Sequence, residues 1–89
     1  MYIVYILQSL KDHRTYTGYT GNFEKRLLQH NLGLVKSTKY RTPFKLLFKE
    51  EFKDKAIVKK RELWWKSRTG RRKLKEIFNK MVKMVKDDQ

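Results

Sequence analysis

The sequence predicts a small α+β domain built in the order β-β-α-β-α-α. Three observations carry that expectation: a β-branched and aromatic start, later segments with apolar residues every three or four positions, and a length of only 89 residues. A chain of this size buries about 60–65% of its unfolded surface, enough for one modest core. One domain over residues 1–89 is therefore expected. No internal repeat, low-complexity stretch or separating linker interrupts it.

Tyr2-Ile3-Val4-Tyr5-Ile6-Leu7 has the composition of a well-buried first strand. Ser9 to Arg14 is polar and turn-prone. Thr15-Tyr16-Thr17-Gly18-Tyr19-Thr20 alternates as a second strand would, so the two form an antiparallel hairpin. Gly18 inside that pattern marks a bulge or a place where something approaches the backbone closely. Asn22 suits an N-cap and Glu24 a first turn, opening a helix from Phe23 to about Leu32 with Gly33 as its C′ residue. On that helix Phe23 and Leu27 form an apolar i, i+4 pair, and Arg26 and His30 a polar one. Residues 33–43 form a basic, hydroxyl-bearing loop closed by the only proline, Pro43.

Phe44 to Phe52 reads as a third strand, with Phe44, Leu46 and Phe48 on one side and Lys45, Leu47 and Lys49 on the other. Asp54 caps a second helix running to about Lys66. Val58, Glu62 and Trp65 share one side of it; Ile57, Arg61 and Trp64 share an adjacent one. Ser67-Arg68-Thr69-Gly70 is expected to break the helix. A third helix over about 71–86 carries Leu74, Ile77, Phe78, Met81, Val82 and Val85 at spacings of three and four. Packing on the sheet is the simplest use of that stripe, ahead of dimerisation or lying along DNA. Lys83 and Lys86 complement its carboxyl end, and the last three residues are expected to fray.

Composition excludes several function classes. The absence of cysteine removes disulfide scaffolds, thiolate zinc sites and cysteine nucleophiles. No apolar run approaches the roughly 20 residues of a membrane-spanning helix. The amino terminus lacks a basic n-region and a small-residue cleavage site, so a cytoplasmic location, nucleoid association included, is the expectation. The charge is more telling: 23 Lys+Arg against 9 Asp+Glu gives +14. Such an excess attracts polyanions, and nucleic acid is the abundant one. Residues 59–75 hold nine basic side chains against Glu62 alone, with Trp64 and Trp65 among them. That mixture suits phosphate neutralisation with base stacking, or else a solvated helix face whose tryptophans belong to the core. A basic helix on an acidic membrane is the competing reading.

Phosphate-cradling glycine loops, Gly-x-Ser-x-Gly elbows and His-Glu-x-x-His pairs are absent. What remains is a polar set that a β-β-α-β-α core brings together: Tyr5, Tyr16, Arg26, His30 and Glu62. Singly, each has an ordinary explanation. The tyrosines could be cross-strand packing, Arg26 and His30 a surface pair, and Glu62 a salt bridge with Lys59 or Lys66.

As a set, Ile3-Val4-Tyr5, Tyr16-Thr17-Gly18, Arg26 and His30 on the next helix and Glu62 on a later one resemble the GIY-YIG nuclease family, in particular its small stand-alone members. The resemblance spans roughly residues 2–75, with TYTGYTGNFEKRLLQHN as its most specific stretch. KKRELWWKSRTGRRKL is similar to the family's glutamate-bearing helix and its exit. Ile3 replaces the motif's glycine, Thr17 stands where isoleucine is usual, and no residue clearly matches the asparagine that some catalytic members carry after the glutamate.

The resemblance implies a three-stranded antiparallel sheet flanked by helices, and divalent-metal-dependent endonuclease cleavage of DNA. It implies a catalytic set of Tyr5, Tyr16, Arg26, His30 and Glu62. The residue types suit that chemistry. One carboxylate, Glu62, can hold one Mg²⁺ or Mn²⁺ that keeps several waters. Arg26 offers a fixed fork of donors to phosphate oxygens. Tyr5 or Tyr16 could orient or deprotonate water with His30 relaying the proton, provided nearby cations lower the phenol. Gly18, Tyr19, Lys36, Ser37, Thr38, Lys66 and Arg68 are the candidate contacts to nucleic acid, structured or single-stranded forms included. The alternative is a non-catalytic nucleic-acid-binding module that retains the fold, or a small basic structural protein of ribosome or nucleoid. A monomer is the expected state.

Overall fold

Three strands form one antiparallel sheet in the order β2-β1-β3, with β1 at Tyr2–Ser9, β2 at Thr15–Thr20 and β3 at Phe44–Phe52. The helices are α1 (Phe23–Asn31), α2 (Lys55–Lys66) and α3 (Arg68–Asp87). The computed structural model describes residues 1–87, with side chains through Met81. The readings of Val82, Lys83, Val85 and Lys86 as side chains, and of the last two residues, lie outside the described residues. The element order and the antiparallel hairpin are those the sequence predicts.

β1 is the central strand, and its alternation divides two cores. Val4 and Ile6 point to one face, where they pack with Val58 and Trp65 of α2. Leu74 and Ile77 of α3 close that side, so the first part of α3's apolar stripe packs on the core, while Met81 is exposed. Tyr5 and Leu7 point to the other face, against Phe44, Tyr16, Phe23 and Leu27. A central strand covered on both faces needs an unbroken apolar run, which Val4 to Leu7 supplies.

Two local expectations are corrected. Phe44 and Phe48 do not share a face: a register shift against β1 between Ile6 and Leu7 breaks the alternation of β3. Phe44 therefore joins the Tyr5 core and Phe48 the Trp65 core, while Leu46 lies partly exposed. A bulge switches side-chain direction without any change in composition, so alternation alone misses it. The break between the last two helices is also narrower than Ser67–Gly70. Only Ser67 leaves helical conformation (φ −73°, ψ 168°), and its hydroxyl accepts the Gly70 amide at 3.3 Å to cap α3. Gly70 instead permits contact between helices. A Cβ there would lie 2.1 Å from the Trp64 carbonyl oxygen and 2.5 Å from the Trp65 Cα.

The helix caps follow the sequence. Asn22 accepts the Lys25 amide, and Asp54 accepts the Ala56 amide at 2.7 Å. Gly33, at φ 74°, takes the left-handed turn that ends α1, with its amide on the His30 carbonyl. The 33–43 loop is then clasped to the β1–β2 turn. Ser9 Oγ, fully buried, donates to the Arg41 carbonyl, and the Arg41 guanidinium pairs with Asp12 at 2.8 Å. The Asn31 side chain receives the Phe44 amide at 2.7 Å, which ties the loop's far end to α1.

Candidate active site

Tyr5 organises the site. It is 1% exposed and faces α1, and its ring lies across β2 at the one position without a side chain. A Cβ on Gly18 would stand 2.6 Å from the Tyr5 hydroxyl. The close approach expected at Gly18 is therefore made by Tyr5 itself, and Gly18 is buried beneath it. The expected bulge lies elsewhere, between β1 and β3.

His30, on the last turn of α1, is fully buried and joins two hydroxyls. Its Nε2 lies 2.9 Å from the Tyr5 hydroxyl and its Nδ1 lies 2.8 Å from Thr38 Oγ1. Thr38 is itself fully buried and reaches the Val35 carbonyl at 3.5 Å. A Thr38 hydroxyl that donates to Val35 accepts from Nδ1–H, which leaves Nε2 to accept the Tyr5 proton. Burial pushes the imidazole from 6.5 down to about 4, and the positive charge of Arg26 adds to the shift. At neutral pH His30 is thus uncharged. Tyr16 stacks nearby, its ring 5.0 Å from that of His30 and 6.4 Å from that of Tyr5. Half-buried, it is the more open of the two tyrosines.

Arg26 sits one turn before His30, its Nη1 donating to Gln29 Oε1 at 3.2 Å. It lies beside the Tyr5 hydroxyl. Burial raises the Tyr5 phenol above its ordinary 10.0; Arg26 opposes that shift without cancelling it, and the charge of Glu62 reinforces it. Glu62 therefore lies within electrostatic reach of Tyr5, although it comes from α2. Its side chain is only 13% exposed, and Oε1 receives Lys66 Nζ at 2.9 Å. Tyr5, Tyr16, Arg26, His30 and Glu62 thus come from two strands and two helices in distant parts of the chain.

The remaining candidates scatter. Lys36 and Ser37 are exposed and share a shallow concavity of about 650 Å³ with Arg26. Tyr19 packs on the Val4–Trp65 core, and Thr38 is sealed beneath His30. Lys66 rims a larger groove, and Arg68 is exposed at the start of α3. The tryptophans belong to the core: Trp65 is 3% exposed, and Trp64 packs against it with ring centroids 4.8 Å apart.

Sequence reasoning missed Glu50. From β3 it accepts a forked pair of bonds from Arg61 at 2.8 and 3.1 Å, and the Trp65 indole N–H at 2.7 Å. Burial alone would raise its carboxyl, but these partners together hold it below the ordinary range. The Arg61 guanidinium also lies 4.3 Å from the Trp64 ring centroid. The cluster fastens α2 to the sheet and so sets the position of Glu62, the residue after Arg61. The available signal was an acidic residue inside a strand facing an Arg and a Trp at i, i+4 on the next helix.

Within the cluster, Glu62 is the carboxylate available to a metal among the described residues. No group of three His, Cys, Asp or Glu side chains suited to a metal ion occurs among the described residues. Glu62, largely buried and bonded at Oε1 to one lysine, suits a hard cation that keeps most of its waters. Mg²⁺ and Mn²⁺ meet that description.

Comparison with known proteins bears on the family and the fold. The family model described as the GIY-YIG catalytic domain matches residues 1–75. A UPF0213 protein of Clostridium perfringens is 43% identical over 84 residues, covering 93% of this chain and 89% of the relative. The UPF0213 protein YsiG of Lactococcus lactis is 43% identical over 84 residues, covering 92% and 80%. The solution NMR structure of a UPF0213 protein from Bacillus halodurans superposes with a TM-score of 0.52 at 34% identity, covering 86% of this chain and 85% of that one.

Proposed function

The chain belongs to the GIY-YIG family, and from that premise we propose that it is a divalent-metal-dependent endonuclease that hydrolyses DNA phosphodiester bonds. The observation that carries this reading is the meeting of Arg26, His30 and the field of Glu62 at one phenol, Tyr5. Structural packing does not require a guanidinium and a carboxylate to converge on a buried hydroxyl.

Each residue has a task. Arg26 lies at the edge of an open concavity and binds non-bridging phosphate oxygens with two of its N–H groups. Tyr5 gives its proton to His30 Nε2 as a hydrogen bond, so its oxygen keeps lone pairs to accept from, and aim, the attacking water. His30, neutral and sealed from solvent, positions Tyr5 rather than storing a proton. Tyr16, half-open beside it, completes the water's surroundings. Glu62 would hold the divalent cation, which when bound would supply charge stabilisation at the scissile phosphate and its leaving oxygen.

The test is nicking of supercoiled plasmid with Mg²⁺, Mn²⁺ or EDTA. Wild type should nick only with metal, and Glu62→Gln, which keeps the volume and removes the charge, should not. Tyr5→Phe should lower the rate about 100-fold or more, in keeping with loss of the group that aims the attacking water. Equal nicking by wild type and Glu62→Gln would overturn the assignment. One observation favours a second reading, a non-catalytic nucleic-acid-binding module: Glu62 already has a cationic partner in Lys66. That reading predicts salt-sensitive DNA binding that Glu62→Gln leaves unchanged and that no metal assists.

A further inference from the structure

Beside the cluster around Tyr5 lies a groove of about 1170 Å³, between β2 and α3. Arg14, Arg71 and Lys75 stand along it, and no Asp or Glu lines it among the described residues. Its apolar surface includes Leu74 and Phe78, both only partly covered by the fold. Tyr16 lines both this groove and the Tyr5–His30 cluster, and Lys66 lines the groove while bonded to Glu62, so the groove leads into the site.

Resting on the nuclease reading, we propose that this groove holds an unpaired nucleic-acid strand flanking the scissile phosphate, so that the substrate is DNA with a single-stranded segment. The argument is one of chemical matching. A duplex presents phosphates outward and hides its base faces, so it would satisfy the cationic walls and leave Leu74 and Phe78 against water. An unpaired strand presents both chemistries: phosphates for Arg14, Arg71 and Lys75, and base faces for the aromatic and aliphatic surface. Thr15 and Thr17 of β2 add hydroxyls at the same wall, as suits contacts to phosphate or sugar oxygens. A lipid surface could not enter a groove to reach that floor, and an acidic peptide offers fewer flat faces to stack.

Fluorescence anisotropy with labelled oligonucleotides in EDTA tests the proposal without cleavage, so it succeeds or fails independently of nuclease activity. A twelve-nucleotide single strand should bind more tightly than a blunt duplex of equal length. Arg71→Gln with Lys75→Gln, both exposed and therefore harmless to folding, should weaken the single strand about tenfold. The same pair should reduce its log–log salt slope by about 1.4, two phosphates' worth. Phe78→Leu, which keeps an apolar side chain at this position, should weaken the single strand about fivefold and leave the salt slope unchanged, the mark of a lost base stack. Equal affinity for both forms, lowered equally by Arg71→Gln with Lys75→Gln, would overturn it. So would a clear preference for acidic vesicles or an acidic peptide over single-stranded DNA.

Discussion

If Glu62 holds a divalent cation as proposed, Lys66 and that cation would compete for the same carboxylate oxygen. Lys66 Nζ sits 2.9 Å from Glu62 Oε1, yet the lysine is 46% exposed, and a pair that open to water is worth only about 0.2–1 kcal/mol. Lys66→Gln should therefore tighten Mn²⁺ binding by up to about fivefold, read by electron paramagnetic resonance, while Glu62→Gln abolishes it. Unchanged Mn²⁺ affinity in Lys66→Gln would remove the lysine from the metal's surroundings. His30 makes a second prediction. Its unfolded form takes up a proton below 6.5, whereas the folded form resists until about 4. Stability is thus full above 6.5, falls as pH drops through that window, and levels off below it. The loss is on the order of 3 kcal/mol at most. His30→Gln should flatten that window when urea midpoints at pH 7 and 4.5 are compared. The tyrosines, Arg26, His30 and Glu62 were legible in the sequence because their motif selects them together. Thr38 was legible only as a loop hydroxyl, since its burial under His30 depends on how the 33–43 loop folds back.

Among the elements, strand and helix identities came from periodicity and caps, which are local. What escaped was whatever depends on a neighbouring element. The faces of β3 were misread because the register shift against β1 leaves no mark in composition. Gly70 was read as a breaker, yet it lies inside α3 where the helix meets the end of α2. Gly70→Ala forces its new methyl against the Trp64 carbonyl and Trp65 backbone, neither of which can move aside cheaply. It should cost roughly 2–3 kcal/mol and alter tryptophan fluorescence, while Thr69→Ala beside it stays within about 0.5 kcal/mol. Equal thermal midpoints for the two variants would contradict this account. The Glu50–Arg61–Trp65 cluster belongs at this level too, because it removes one cation from the sequence's basic run and spends it on holding α2 to the sheet.

For the whole molecule, the charge of +14 was the plainest signal in the sequence, and it identifies a class of partner without locating it. The structure distributes that charge. Arg61 and Arg41 are engaged with carboxylates, whereas Arg14, Arg71 and Lys75 stand along one groove. If about six phosphates are neutralised, affinity for a single strand should fall with a log–log salt slope near −4; a flat salt response would rule out backbone binding. β2 has a further consequence. Among the described residues it pairs only with β1, so its outer backbone edge is left without a strand partner there. Such an edge is a template for self-association, and surrounding positive charge is one of the ways proteins guard it. Here the guard is the same set of cations that a polyanion would neutralise. Solubility should therefore pass through a minimum when a short oligonucleotide is titrated in, with light scattering peaking near charge balance and clearing again in excess or in added salt.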